Sequence, residues 1–207
     1  MIDLETFKLT MHRDIKPVIT FISYQDAAES PEGRTNRFDF LMPYILEKYQ
    51  GNLIEIGAGV GHSTKVFLKH AEKYNRQVVV IDPWETLAGQ PHGYGSYSYD
   101  EFLHNVKGFD NNLIVCKEPS TGKVGSALRY NQPFAFTFVD GLQSEVDVIH
   151  DLYLCADHNT QVIAVDDYNR ETPNSQVPKA VTKFLDQNPD YELVETRANI
   201  ECYLVKI

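Results

Sequence analysis

The chain has 207 residues, 43% hydrophobic and 23% charged, with 29 acidic against 19 basic side chains and a net charge of −10. That composition excludes disordered, collagen-like and coiled-coil architectures and suits one globular domain with an extension. The acidic balance repels phosphate backbones and anionic headgroups, and no apolar stretch approaches the ~20 residues of a membrane span, so neither nucleic acid nor membrane is an expected partner. Met1 to Lys16 is too polar for a secretory signal, and a cytoplasmic protein is expected. Cys116, Cys155 and Cys202 stand far apart in apolar runs, as reduced thiols do.

Residues 1–36 read as an amino-terminal cap, with a turn at Ser30-Pro31-Glu32-Gly33. Residues 37–207 read as the main domain, entered by an amphipathic helix through Phe38, Leu41, Met42, Ile45 and Tyr49. Seven apolar runs then read as strands: Leu53 to Ile56, Val78 to Ile81, Leu113 to Cys116, Phe134 to Val139, Gln161 to Val165, Tyr191 to Glu195 and Cys202 to Lys206. Between the first six lie helical patterns. Val60, Thr64, Phe67, Leu68 and Ala71 share one face. Ser98 and Glu101 form a capping box before Phe102. Val124, Ala127 and Leu128 follow Ser120 as a candidate N-cap. Val148, Ile149, Leu152 and Cys155 make a third stripe, ending at Asp157-His158-Asn159 with Asn159 suited to a left-handed turn. Val177, Val181, Phe184 and Leu185 make the last.

This alternation predicts an α/β fold: a Rossmann-like, seven-stranded, mostly parallel sheet with helices on both faces. Thr196 to Glu201 is too short for a crossover helix, so the last two strands should pair antiparallel.

The strongest chemical signal is Glu55-Ile56-Gly57-Ala58-Gly59-Val60-Gly61-His62-Ser63, where a buried strand enters a glycine-rich turn and then a helix. Alternating glycines let the backbone turn tightly and approach a ligand beyond the strand's carboxyl end. A dinucleotide fingerprint needs a third glycine at position 62, where His62 stands, which argues against a dehydrogenase. Asp82, at the end of the second strand, is placed to accept both hydroxyl protons of a ribose.

The acidic residue followed by Gly-x-Gly-x-Gly resembles the first motif of the class I S-adenosylmethionine-dependent methyltransferases, and the resemblance covers about residues 50–207. It implies that Gly57, Ala58, Gly59 and Gly61 lie against the methionine part and ribose of S-adenosylmethionine, that Glu55 helps hold its amino group, and that Asp82 takes the ribose. Trp84 either covers one side of the cofactor or is a packed anchor under a loop. Glu118 and Ser120 stand where the adenine-binding turn is expected, although Ser120 also suits a helix cap.

Asp140, Asp166 and Asp167 follow the fourth and fifth strands and should emerge on the same rim. Three acids there repel one another unless a cation sits between them. The trio resembles the ligand set of metal-assisted O-methyltransferases, implying Mg²⁺ as an optional second cofactor; the alternative is that Asp140 contacts cofactor or acceptor while Asp166 and Asp167 cap a loop. The base usual in that subfamily is missing, since Leu142, Gln143 and Ser144 follow the aspartate-glycine pair. Three options stand: a metal-bound acceptor hydroxyl that needs no base, a histidine from elsewhere, or a module that binds cofactor without turnover. His92, in the glycine- and tyrosine-rich loop from Gln90 to Tyr99, is the candidate base, and His62 lies beside the glycine turn.

The expected function is methyl transfer from S-adenosylmethionine to an oxygen of a small-molecule acceptor, with His92 and Asp140 as catalytic candidates. The alternatives are a non-catalytic cofactor-binding module and a nucleotide-dependent oxidoreductase. The amino-terminal segment offers an interface for a homo-oligomer.

Overall fold

The computed structural model describes residues 31–84, 98–168, 176–195 and 201–207. In chain order the elements are α1 (Pro31–Lys48), β1 (Asn52–Ile56), α2 (His62–Lys73), β2 (Val78–Ile81), α3 (Tyr99–Asn105), β3 (Leu113–Cys116), α4 (Gly125–Tyr130), β4 (Phe134–Val139), α5 (Glu145–Asp157), β5 (Val162–Val165), α6 (Val177–Gln187), β6 (Tyr191–Glu195) and β7 (Cys202–Lys206). The sheet has seven strands in the order β3-β2-β1-β4-β5-β7-β6. Strands β1 to β5 pair in parallel, and β7 lies antiparallel to both β5 and β6. This is the Rossmann-like fold that the alternation predicts, terminal hairpin included.

Side chains alternate across the sheet, so each central strand feeds two cores. Leu53, Val78, Val80, Phe136 and Phe138 pack under α1 and α2. Ile54, Ile56, Val79, Val139 and Ile163 pack under α4, α5 and α6. Phe38 of α1 meets Phe67 of α2 and Phe138 edge-on at 5.1 and 4.9 Å, which locks the entry helix to the sheet.

Two expectations need correction. Pro31, Glu32 and Gly33 are not a turn but the opening of α1; proline suits a helix start, where a missing N–H costs no intrahelical bond. Ser120 is not the cap of α4, whose N-cap is Val124. Half of the capping box forms, with Ser98 as N-cap accepting the N–H of Glu101, and Asn159 takes the left-handed conformation at φ 57°. Cys116, Cys155 and Cys202 are free thiols, Cys116 only half-buried. No helix among the described residues is long and apolar enough to cross a membrane.

Candidate active site

The sheet register builds the site. Ile56 pairs with Ile81 on one side and Val139 on the other, and Val139 pairs with Val165. The next residue of each strand therefore stands in one row along the carboxyl rim: Asp82, Gly57, Asp140, Asp166. The ladder carries one step into that row, because Gly57 N–H donates to Ile81 O at 2.9 Å, Asp140 N–H to Ile56 O at 2.8 Å and Asp166 N–H to Val139 O at 2.9 Å. Strand order reverses between β1 and β4, and the crevice at such a reversal is where open α/β sheets take ligands.

Gly57 sits at that reversal with φ 85°, and a Cβ there would stand 2.2 Å from the Asp140 carbonyl oxygen. Only glycine lets the two strands leave the sheet this close together. Beyond it, Gly59 and Gly61 also take positive φ, and Gly61 N–H donates to Ala58 O at 2.8 Å.

Asp82 braces this turn. Its Oδ2 accepts the N–H groups of Ala58 and Gly59 at 2.9 and 3.0 Å, and its Oδ1 accepts the N–H of Trp84 at 2.7 Å. A carboxylate has about four acceptor positions, so room for a ribose hydroxyl remains. Trp84 is packed against the turn: it is 9% exposed, its indole N–H donates to Gly59 O at 2.7 Å, and its ring lies 4.8 Å from Tyr99 and 4.7 Å from Phe102. On the far side, Asn105 Nδ2 donates to Val60 O at 2.9 Å.

Glu55 is fully buried behind the turn and accepts hydrogen bonds from the Ser63 and Thr64 hydroxyls in the first turn of α2. Burial pushes its pKa up to about 7, against the pull of those two hydroxyls, and the charge of Asp82 adds to the rise. Both oxygens are thus engaged within the protein, and no surface of Glu55 is exposed.

Asp140 is open to solvent at the crevice mouth yet surrounded by protein, the mark of a group lining a concavity. Desolvation holds its pKa well above the usual carboxylate range, reinforced by the charge of Asp166, a hydrogen bond between the two carboxyls, and the charges of Asp167 and Glu55. Asp167 is 2% exposed with φ 57°. Asp140 and Asp166 thus meet as a pair, but no group of three or more His, Cys, Asp or Glu among the described residues is arranged to hold a metal ion.

A family model described as a methyltransferase domain matches residues 54–168, from β1 to just beyond β5 and over half of the chain. The chain belongs to that methyltransferase family. No curated protein matches the sequence of this methyltransferase. Solved structures do share its fold. One is the apo form of CalS11, a TDP-rhamnose 3′-O-methyltransferase of calicheamicin biosynthesis, at 14% identity and TM-score 0.58, covering 98% of this chain and 95% of that one. Another is an O-methyltransferase from Bacillus cereus in complex with S-adenosylhomocysteine, at 16% identity and TM-score 0.57, covering 93% and 90%. A third is TomG from Streptomyces achromogenes, in complex with S-adenosylmethionine, at 15% identity and TM-score 0.54, covering 94% and 89%.

The turn after β3 follows on the same rim, where Asp82 N–H donates to Cys116 O at 3.2 Å. Glu118 is exposed and accepts the N–H of Lys123 at 2.8 Å, bracing its own turn. Ser120 is held from behind by α5: its carbonyl lies 3.3 Å from His150 Nε2, and its side chain hydrogen-bonds to the Asp151 carboxylate. Asp151 is 1% exposed, and burial pushes its pKa up to about 6. Asp151, Asn105, Ser63 and Thr64 are absent from the sequence-based site. An acid among Val148, Leu152 and Cys155 was the legible sign for Asp151; Asn105 gives none. His62 opens α2 with an exposed side chain. His92 and most of the Gln90 to Tyr99 loop lie outside the described residues, as do residues 1–30 of the cap.

Proposed function

We propose that this methyltransferase moves a methyl group from S-adenosylmethionine to an oxygen of a small hydroxylated molecule. The observation that carries the reading is the rim row, in which the braced glycine turn and Asp82 stand beside the Asp140–Asp166 pair. The turn receives the adenosyl sulfonium, with Asp82 on the ribose and the Glu118–Ser120 turn toward the adenine. The acceptor oxygen then comes from the Asp140 side of the crevice. Solved structures of the same fold that are described as O-methyltransferases support the choice of oxygen.

The acceptor oxygen attacks the methyl carbon in line, the carbon–sulfur bond breaks, and its electron pair stays on sulfur. Holding the three atoms in line removes several kcal/mol from a bimolecular barrier. The sulfonium loses its charge as the methyl leaves, so a carboxylate against the sulfur would favour the ground state. The acids stand instead at the ribose and at the acceptor. The acceptor's proton passes to the Asp140–Asp166 pair or to His92, the two candidate bases.

A divalent cation is a second reading, favoured by the carboxyl pair itself: a cation can take the place of the proton that two facing carboxyls share. Asp140 and Asp166 supply two hard oxygen donors of the kind Mg²⁺ takes, and Asp167 is next in sequence. Bound there, the ion would lower the pKa of an acceptor hydroxyl.

The test is an acceptor screen with S-adenosylmethionine, with and without Mg²⁺, read as S-adenosylhomocysteine release and a methylated product. Turnover that Asp140→Asn abolishes supports the reading. Tight cofactor binding with no turnover on any hydroxylated acceptor supports the non-catalytic module, and binding of NAD in place of S-adenosylhomocysteine supports the oxidoreductase.

A further inference from the structure

We infer that Asn105, on α3 and outside the cofactor-contacting set, is a positioning residue that fixes the ligand-facing geometry of the glycine turn. The inference rests on the cofactor reading above and names the part of the chain that makes the turn competent.

Two successive peptide planes form the middle of the turn. Gly59 O and Val60 N–H belong to one trans peptide and point in opposite directions. Trp84 Nε1 holds the carbonyl end of that plane at 2.7 Å, so the Val60 N–H is directed away from the indole. Val60 O and Gly61 N–H share the next plane, whose carbonyl end is held by Asn105 Nδ2 at 2.9 Å while its N–H bonds to Ala58 O at 2.8 Å. Fixing both planes fixes φ and ψ of Val60, the non-glycine residue at the middle of the turn. Asp82 already takes the N–H groups of Ala58 and Gly59. Among the described residues, Val60 N–H is then the one backbone donor of positions 58–61 with no partner, and it is left for a ligand.

Asn105 is suited to this task. It is the last residue of α3, a helix held against the turn by Phe102, whose ring lies 2.9 Å from where a Gly61 Cβ would stand. A carboxamide at a helix end reaches a carbonyl of the neighbouring segment without being fully buried itself, and its hydrogen bond is partly shielded from water. Without it, plane 60–61 keeps one bond and can rotate, so the cofactor must order the turn as it binds.

The experiment is titration of the full chain with S-adenosylhomocysteine by calorimetry, well below the melting temperature, comparing wild type with Asn105→Ala and Asn105→Asp. Asn105→Asp keeps the shape but sets an acceptor against the Val60 carbonyl. The expected result is a Kd raised about three- to tenfold by alanine, the scale of one hydrogen bond, and raised further by aspartate. Phe184→Leu, on the buried face of α6, serves as a stability-matched control that lowers the melting temperature and leaves Kd within twofold. His104→Ala, an exposed neighbour, changes neither. Asn105 variants within twofold of wild type, or a loss no larger than that of Phe184→Leu, would overturn the inference. Failure of wild type itself to bind would overturn the cofactor reading, and the inference with it.

Discussion

Asp82 and Gly59 hold one another: the carboxylate at the end of β2 accepts the glycine N–H at 3.0 Å, across the gap between adjacent strands. The same oxygen takes the N–H of Ala58, so the residue expected to grip a ribose also shapes the turn beside it. Asp82→Asn exchanges one carboxylate oxygen for an amide that cannot accept, and so breaks either the bonds to the turn or the bond to Trp84. The expected outcome is at least a tenfold weaker affinity for S-adenosylhomocysteine, with a melting point lower by a few degrees. Unchanged affinity by calorimetry would remove Asp82 from the site.

Gly57→Ala tests the crossing of β1 and β4. The new Cβ would sit 2.2 Å from a backbone oxygen, in a conformation at φ 85° that alanine avoids. Backbone on both sides leaves no flexible neighbour to yield, so a loss of about 1–3 kcal/mol or more is expected in urea denaturation. A loss below 0.5 kcal/mol would mean that the strand ends are not packed as described.

Buried acids set a pH dependence with a definite sign. Glu55 rises from 4.5 to about 7 on folding and Asp151 from 3.8 to about 6, so folding favours their protonated forms. Their contribution is fully present below pH 4 and is lost as pH rises through 6 and 7. For Glu55 the shift corresponds to roughly 3 kcal/mol. Glu55→Gln should flatten the stability profile between pH 5 and 8, with the neutral amide at least as stable as wild type at pH 8. Denaturation midpoints across that range, compared for both proteins, check it; parallel profiles would contradict the assignment.

The Asp140–Asp166 pair should trade stability for activity. Burial raises the pKa of Asp140 most and the Asp166 charge adds to it; Asp166→Asn removes that repulsion, so the variant is expected to melt higher than wild type without added ions. If the pair holds Mg²⁺, the ion raises the melting temperature of wild type and not of this variant. Thermal scans with Mg²⁺ and with a chelator separate the cases, and an equal response in both proteins would exclude the pair as ligands.

Trp84→Phe keeps an aromatic ring beside Tyr99 and Phe102, deletes the donor to Gly59 and leaves a small void where the indole was fused. The Gly59 carbonyl is then left without its partner, and a severalfold weaker S-adenosylhomocysteine affinity is expected with about 1–3 kcal/mol of stability lost. Wild-type affinity would show that plane 59–60 needs no brace.

Most of the sheet was legible in the sequence because the central strands are buried on both faces and read as short apolar runs between turn residues. β1 and β5 differ by one residue at the start, and the other five strands agree. The start of α1 was hidden by Pro31 and Gly33, whose local preference for turns yields to the tertiary packing of the helix. The acids of the rim were legible for a simple reason: parallel strands end on one side, so any acid just past a strand joins the row. The partner of each was not. Which hydroxyls reach Glu55, which amides Asp82 accepts and which carbonyl Asn105 holds depend on how separate segments meet, and spacing carries no record of that. Trp84 reads equally well from the sequence as a cofactor wall or an anchor, and nothing in its spacing shows that its indole N–H points at Gly59.

The most direct test of the central claim is calorimetric titration of the wild-type chain with S-adenosylhomocysteine and, separately, with NAD. Saturable one-to-one binding of S-adenosylhomocysteine, lost in Asp82→Ala, with no heat from NAD, is the predicted result. Folded protein that gives no heat with S-adenosylhomocysteine or S-adenosylmethionine, with or without Mg²⁺, would contradict it.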